Sequence, residues 1–286
     1  MKRLPRLNAL LLVVVGVLGA LAWFRPAGDG PAQHPLSTLK AAEARSVRIE
    51  RPGTADVVLE KKDGGWFLTA PLAARADEHR VQRLLEILGA QSAHKLTGGG
   101  LERFELDRPA ARVTIGGQAF SFGMLNAVTR EQYVATGDAV YAVHPRYGAA
   151  LPAGAVELAS RQLLAPGEVP ERVALKEFTV ERREGRWMLS PDSGGEPSQD
   201  DLARWIEGWR LASALRVEPH VGGKPRQDVE IRLKGGGRIA LGVLASGPGI
   251  VLTRPDEKLQ YHFRIEAAMR LLSPPGAAAG SPAQKK

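Results

Sequence analysis

The sequence predicts an α+β protein built as two tandem similar modules, each an antiparallel β-rich sheet with one amphipathic helix, behind a single N-terminal transmembrane helix. Three observations carry that expectation. A sequence pattern repeats at a constant offset of 121 residues, each copy continues into strand–turn–strand signals, and an unbroken apolar run lies near the N-terminus.

The apolar run extends from Ala9 to Phe24, preceded by Lys2, Arg3 and Arg6 and closed by Arg25. As a helix, sixteen residues span about 24 Å. That is a little short of a hydrocarbon core of about 30 Å, a gap that snorkelling Arg and an interfacial Trp23 accommodate. The run has no polar face, which disfavours a buried core helix. Cations at its start place the N-terminus in the cytoplasm, so the expectation is a single-pass protein of the bacterial inner membrane with the bulk of the chain in the periplasm. Ala20-Leu21-Ala22 also fits a cleavage site, but the apolar character runs straight on through Trp23 and Phe24, so a retained anchor over residues 1–24 is preferred. Residues 25–44 follow as a Pro/Gly-rich spacer, opening with RPAGDGPAQHP. Residues 273–286 (SPPGAAAGSPAQKK) have the composition of a disordered tail.

Between them the chain divides into modules 45–155 and 156–272. VLEKKDGGWFLTA (58–70) aligns without a gap on TVERREGRWMLSP (179–191), setting Glu60 on Glu181, Gly64 on Gly185, Trp66 on Trp187 and Leu68 on Leu189. Both stretches read as hairpins, with apolar side chains on one face and turn residues at Asp63-Gly64 and Glu184-Gly185. Trp66 and Trp187 fall in phase with the alternation and are expected in the cores of their modules. The same offset carries Val81, Leu84, Leu85 and Leu88 onto Leu202, Trp205, Ile206 and Trp209, the i, i+3, i+4, i+7 stripe of an amphipathic helix. Asp77 is positioned to cap the first helix, and Ser198 with Asp201 forms a capping-box pattern for the second. Further hairpins are expected in 112–123, around Gly116-Gly117, and in 229–242, around Gly235-Gly236-Gly237. Two more follow in 131–143 and 249–263. Parallel βαβ spacing is missing, which disfavours a doubly wound nucleotide fold.

Chemistry is sparsely marked. With no cysteine, thiol catalysis, disulfides and Cys-ligated metals are excluded. The net charge of +8 falls to +5 once Lys2, Arg3 and Arg6 are assigned to the cytoplasm, too dispersed to suggest nucleic acid. Pro191-Asp192-Ser193-Gly194-Gly195 resembles the nucleophile segment of trypsin-like proteases, but it falls between a hairpin and its helix, and the segment that would supply the base is missing. Thr97-Gly98-Gly99-Gly100 and Lys234-Gly235-Gly236-Gly237 do not lead from a strand into a helix as a phosphate cradle does. His79 lies off the apolar stripe, and His144 and His262 lack acidic partners nearby in sequence. Asp200 and Asp201 sit at a helix start, where the dipole favours them. No catalytic, cofactor-binding or metal-ligating residue is therefore assigned. Tyr133, Tyr141 and the segment 152–170 are the places to inspect for a binding surface.

LEKKDGGWFLTAPLAARAD (59–77), FELDRP (104–109) and QYVATGDAVYAV (132–143), in that order, resemble an uncharacterised bacterial family: a domain of unknown function, often in tandem, in membrane-anchored exported proteins. The second copy departs from it, with no counterpart of FELDRP and with PDSGGEPS in place of APLAARAD. The resemblance implies a protein partner in the envelope, some members being neighbours of auxiliary subunits of gliding-motility-type ABC transporters. It brings no cofactor and no catalytic residue. The expected function is a membrane-tethered periplasmic scaffold or accessory protein, without enzymatic activity, serving an ABC-type export or envelope complex. The alternative is an envelope hydrolase acting on polysaccharide or peptidoglycan, with two carboxylates brought together from distant loops.

Overall fold

A computed structural model describes residues 13–18, 20, 33–191, 197–246 and 249–276. The first sheet grows from short amphipathic strands. In Ser46–Glu50 (β2, after the two-residue β1 at His34–Pro35), Val57–Lys62 (β3) and Gly65–Ala70 (β4), the inward positions Val47, Ile49, Val57, Leu59, Trp66 and Leu68 are buried. Asp63 and Gly64 both take positive φ, the geometry a two-residue turn needs to match strand twist. Ala74–Arg75 (β5) adds a short edge, and Glu78–Leu85 (α1) lays Val81, Leu84 and Leu85 on the sheet. Leu88 continues this stripe on a 3₁₀ turn, Glu86–Gly89. The Asp77 side chain accepts a hydrogen bond from the Arg80 N–H, as the cap pattern anticipated. Gln91–Ser92 (β6), Lys95–Thr97 (β7), Ala111–Ile115 (β8), Gln118–Leu125 (β9), Gln132–Thr136 (β10), Ala139–Val143 (β11) and the short helix Arg146–Ala149 (α2) follow. The antiparallel order is β5-β4-β3-β2-β8-β9-β10-β11-β7, and β1 pairs separately with β6.

The second sheet uses Pro170–Ala174 (β12), Thr179–Arg183 (β13) and Arg186–Ser190 (β14), then the helix Gln199–Arg210 (α3). Arg216–Pro219 (β15), Gln227–Leu233 (β16), Arg238–Ser246 (β17), Gly249–Arg254 (β18), Leu259–Arg264 (β19) and the helix Ile265–Leu272 (α4) complete it. Its order is β14-β13-β12-β16-β17-β18-β19-β15, all antiparallel. Strand for strand this retraces the first sheet from β4 to β7. Glu184 and Gly185 repeat the positive-φ turn of Asp63 and Gly64, and the Ser198–Asp201 capping box forms. The molecule is thus α+β with antiparallel sheets.

Several expectations need correction. Each hairpin is preceded by a strand, β2 or β12, and each helix is followed by one, β7 or β15; none of these four was anticipated. The spacer expected over 25–44 is folded from His34 onward: β1 pairs with β6, the Leu36 N–H donates to the Ala90 carbonyl, and Leu36 and Ala44 are buried. The tail expected from 273 begins as packed chain, for Pro275 is buried and the Ser273 carbonyl accepts the Trp205 indole N–H at 3.0 Å. Trp66 is buried as expected, but Trp187 is only half-buried, its ring under the Arg182 guanidinium. The helix α4 was not foreseen. Residues 13–18 are helical, and among the described residues no helix is long and apolar enough to cross a membrane; the anchor expected over 1–24 falls mostly on residues outside those described.

One hydrophobic core runs through both sheets. It is continuous because the connecting segment buries Leu158, Leu163 and Leu164 between them. A smaller cluster of Phe104, Leu106 and Val140, with Tyr133 against it, sits on the other side of the first sheet's β10–β11 hairpin.

Candidate functional site

The connection between the sheets is held by charge. Arg75 leaves the first sheet on β5 and meets Glu257, in the β18–β19 turn of the second, at 2.5 Å. Its other nitrogen donates to the carbonyls of Gln162 at 2.8 Å and Leu163 at 3.2 Å. Arg254, at the end of β18 and 3% exposed, donates to the same Leu163 carbonyl at 2.7 Å. Its guanidinium also forms a two-pronged pair with Glu168, at 2.6 and 2.9 Å, and reaches Asp256 at 3.1 Å. The Tyr261 hydroxyl donates to Glu257. Three stretches far apart in sequence therefore converge, and every carboxylate in the cluster meets a guanidinium.

The electrostatics follow from that pairing. Burial pushes the Glu168 carboxyl up, but hydrogen bonds from Arg254 and the Ala165 N–H, with the Arg254 and Arg75 charges, outweigh it and hold the group below the usual carboxylate range. Burial likewise opposes the charges on Arg254 and Arg75, and their carboxylate partners overcome it, raising both. Burial and the neighbouring Glu257 push the Tyr261 phenol up, so it stays a donor. Glu168, ionised and already bonded on both oxygens, is a poor proton shuttle. The cluster is built as a clamp.

The larger concavity lies elsewhere. A groove of about 1230 Å³ opens between α3 and α4, walled by Trp205, Leu211, Phe263, Met269 and Leu271. Leu211 and Met269, each 58% exposed, leave apolar surface open on it. Its rim carries both signs: Asp201 and Glu266, Arg204 and Arg270. Asp201 is bound by the Ser198 hydroxyl and backbone N–H and by Arg204, which together hold its carboxyl below the ordinary range.

The positions singled out in sequence fare unevenly. Segment 152–170 is where the junction forms, through Leu158, Leu163 and Glu168. Half-buried Tyr133 accepts from the Asn126 amide at 3.0 Å and packs on Phe104, while Tyr141 is buried and offers no contact surface. His79 is exposed. The His144 ring accepts the Arg146 N–H at 3.1 Å. His262, without an acid nearby in sequence, gains one through the fold: β15 pairs with β19 and brings Glu218 to 3.0 Å. Lys234-Gly235-Gly236-Gly237 is the β16–β17 turn, with Gly235 and Gly236 at positive φ, and Thr97-Gly98-Gly99-Gly100 is the end of β7 and a loop. Of the PDSGG segment, residues 192–195 lie outside the described residues. Among the described residues no three His, Asp or Glu gather as a metal ion requires. Sequence reasoning missed Arg75, Arg254, Glu257 and Tyr261. The one available signal was a charge closing the apolar strand GIVLTR.

The fold and these surfaces define an α+β protein of two antiparallel sheets joined by a buried ionic clamp. Comparison with known families is more specific: the chain belongs to the DUF4340 family, a domain of unknown function whose model matches residues 66–217. That match begins on β4, crosses the junction and ends on β15. No curated protein and no solved structure matches the chain.

Proposed function

We propose that this chain is a membrane-tethered accessory or scaffold protein of the bacterial envelope, with residues 1–24 as a single-pass inner-membrane anchor, the bulk in the periplasm, and two duplicated modules presenting a surface to a protein partner. Duplication is supported by the shared strand order and by equivalent contacts at the 121-residue offset. The Trp66 N–H donates to Glu78 and the Trp187 N–H donates to Gln199, each on the first residue of the following helix. The binding role rests on the α3–α4 groove, an apolar concavity with Leu211 and Met269 uncovered. An ABC-type export complex as the partner's setting rests on the family resemblance alone. The hydrolase alternative asks for two carboxylates facing across a cleft. Two acids, Asp201 and Glu266, do line the groove. Asp201, however, is bonded to Ser198 and Arg204 and held below the ordinary carboxylate range, the opposite of what a proton-donating acid needs. Half-buried Glu168 and Glu257 are each held by an arginine away from the groove; the scaffold reading is therefore preferred.

The test is a pull-down from detergent-solubilised native membranes with the full chain and with Met269→Glu, a change at an exposed position. The expected result is a stoichiometric envelope partner recovered with the parent chain and lost with the variant. Recovery of no stoichiometric partner, or equal recovery by both, would overturn the reading.

A further inference from the structure

Arginines that lie in the fold are otherwise well matched. Arg75 and Arg254 each meet a carboxylate and a main-chain carbonyl. Arg51, just past the end of β2, is the exception. It is half-buried, and its Nε is shielded from solvent with no group of the described residues accepting its hydrogen. Its terminal nitrogen reaches only the Leu151 carbonyl, at a long 3.4 Å. Among the described residues it forms no ion pair, although Arg48, three residues earlier, takes both Asp56 and Glu50. A sheltered cation without its counter-charge is costly, and folded chains seldom leave one so.

Arg51 also lines a cavity of about 260 Å³, walled chiefly by Ile49, Val57, Pro71, Pro152 and Ala155. That is near the lower end of ligand pockets, about 300 Å³, so there is room for only a few heavy atoms. The walls are apolar, with Thr54 adding a hydroxyl that is already bonded to the Arg51 carbonyl. The nearby Glu157 carboxylate is turned to the Ala153 N–H instead of to Arg51. A phosphate needs many donors, whereas one guanidinium beside aliphatic walls suits a carboxylate on a short apolar stem.

We propose that this cavity is a binding site for a small carboxylate, its oxygens taking the guanidinium hydrogens of Arg51 and its aliphatic stem lying against Ile49, Val57 and Pro71. The carboxylate belongs either to a free short-chain acid or to the C-terminus of a peptide. The inference stands apart from the scaffold reading, which concerns the opposite module.

The experiment titrates the detergent-solubilised full chain with butyrate, with inorganic phosphate, and with a short aliphatic peptide bearing a free or an amidated C-terminus. Calorimetry reports affinity, and the ¹⁵N–¹H signal of the Arg51 Nε reports contact. The expected result is one saturable site for butyrate or for the free-acid peptide, with the Nε signal shifting; the tighter of the two identifies the source. Arg51→Met should weaken binding about tenfold or more. Unliganded, it should melt no lower than the parent, since the cation it removes has no protein counter-charge. Gly154→Val is the second variant. Gly154 is extended and a Cβ there meets nothing within 4 Å, so the change fits while filling one wall and should also block binding. Absence of saturable binding by either carboxylate, tighter binding of phosphate, or binding unaltered in both variants would each overturn the proposal.

Discussion

If the Arg254–Glu168 pair clamps the connecting segment onto the second sheet, beside the Arg75–Glu257 pair that crosses between the sheets, cutting one side of it should cost far more than an ordinary surface ion pair. The Arg254 side chain is 4% exposed and that of Glu168 22%, with two hydrogen bonds between them. Removing one member of a buried pair usually costs about 3–5 kcal/mol, because the other charge is stranded. Glu168→Gln leaves Arg254 with Asp256 and Glu257 still near, which places the loss at about 3 kcal/mol, the lower end of that range. For a folded region of this size that is a fall in melting temperature of roughly 6–12 °C. The assay is urea unfolding of Glu168→Gln, Arg254→Met and the double variant, arranged as a cycle. A coupling of about 1.5 kcal/mol or more is expected, since the pair shares one network. The pH dependence has a definite sign. Glu168 is held below its ordinary value of 4.5, so its contribution is fully present above that value and is lost as pH falls through the lower folded value. In Glu168→Gln this part of the acid sensitivity should vanish. Single variants costing under about 1 kcal/mol, with additive effects in the cycle, would refute the clamp.

Two further outcomes follow from burial and from the N-terminal sequence. Trp209 is fully buried, so Trp209→Ala should cost about 3–5 kcal/mol. Half-buried Trp187 should cost only about 1–2 kcal/mol as Trp187→Ala, and equal losses for the two tryptophans in chemical denaturation would refute the link between their burial and their cost. The chain should also stay with membranes through a carbonate wash, while the version lacking residues 1–24 should fractionate as soluble; release of the intact chain would remove the anchor.

What the sequence made legible was whatever rests on local periodicity. Helix α3 and its capping box, the stripe continued by Leu88, and the glycine turns at 116–117 and 235–236 all announce themselves within a dozen residues. Strands β7 and β12 do not: a three-residue piece such as KLT (Lys95–Thr97), or PERVA with its single fully buried aliphatic Val173, gains its pairing from neighbours distant in sequence. The spacer misled because composition was read as conformation. Pro35 and Leu36 are ordered by β6 and Ala90, more than fifty residues away. The junction was the least legible part of all. Nothing local says that Arg75 will find Glu257, or that Arg254 and Glu168 will share a buried site, because Coulomb partners are chosen by the tertiary fold.

The starts of α1 and α3, which stand at the 121-residue offset, are finished in different ways. In the first, β5 lies along β4, and the Ala76 N–H meets the Trp66 carbonyl. Only the Trp66 N–H then needs a side-chain partner, and Glu78, an acceptor, supplies it at 2.7 Å. In the second, Gln199 stands at that position. Its amide oxygen accepts the Trp187 N–H and its amide nitrogen donates to the Trp187 carbonyl, each at 2.8 Å. One amide thus does for β14 what a carboxylate and a strand do together for β4. The strand has a further use in the first unit, where the connecting segment docks on it: the Ser160 N–H donates to the Arg75 carbonyl, Ala159 bridges Ala76, and the Asp77 N–H donates to the Leu158 carbonyl. That edge is consumed in joining the units, and Arg75 carries the ionic half of the same joint. The same segment meets the second unit through the chain after α3, where the Leu163 N–H donates to the Ala212 carbonyl, the Ala214 N–H donates to the Arg161 carbonyl, and Gln162 bridges Ser213. Along Met269 and Arg270 of α4 the groove stays open, and under the scaffold proposal that is the surface offered to a partner.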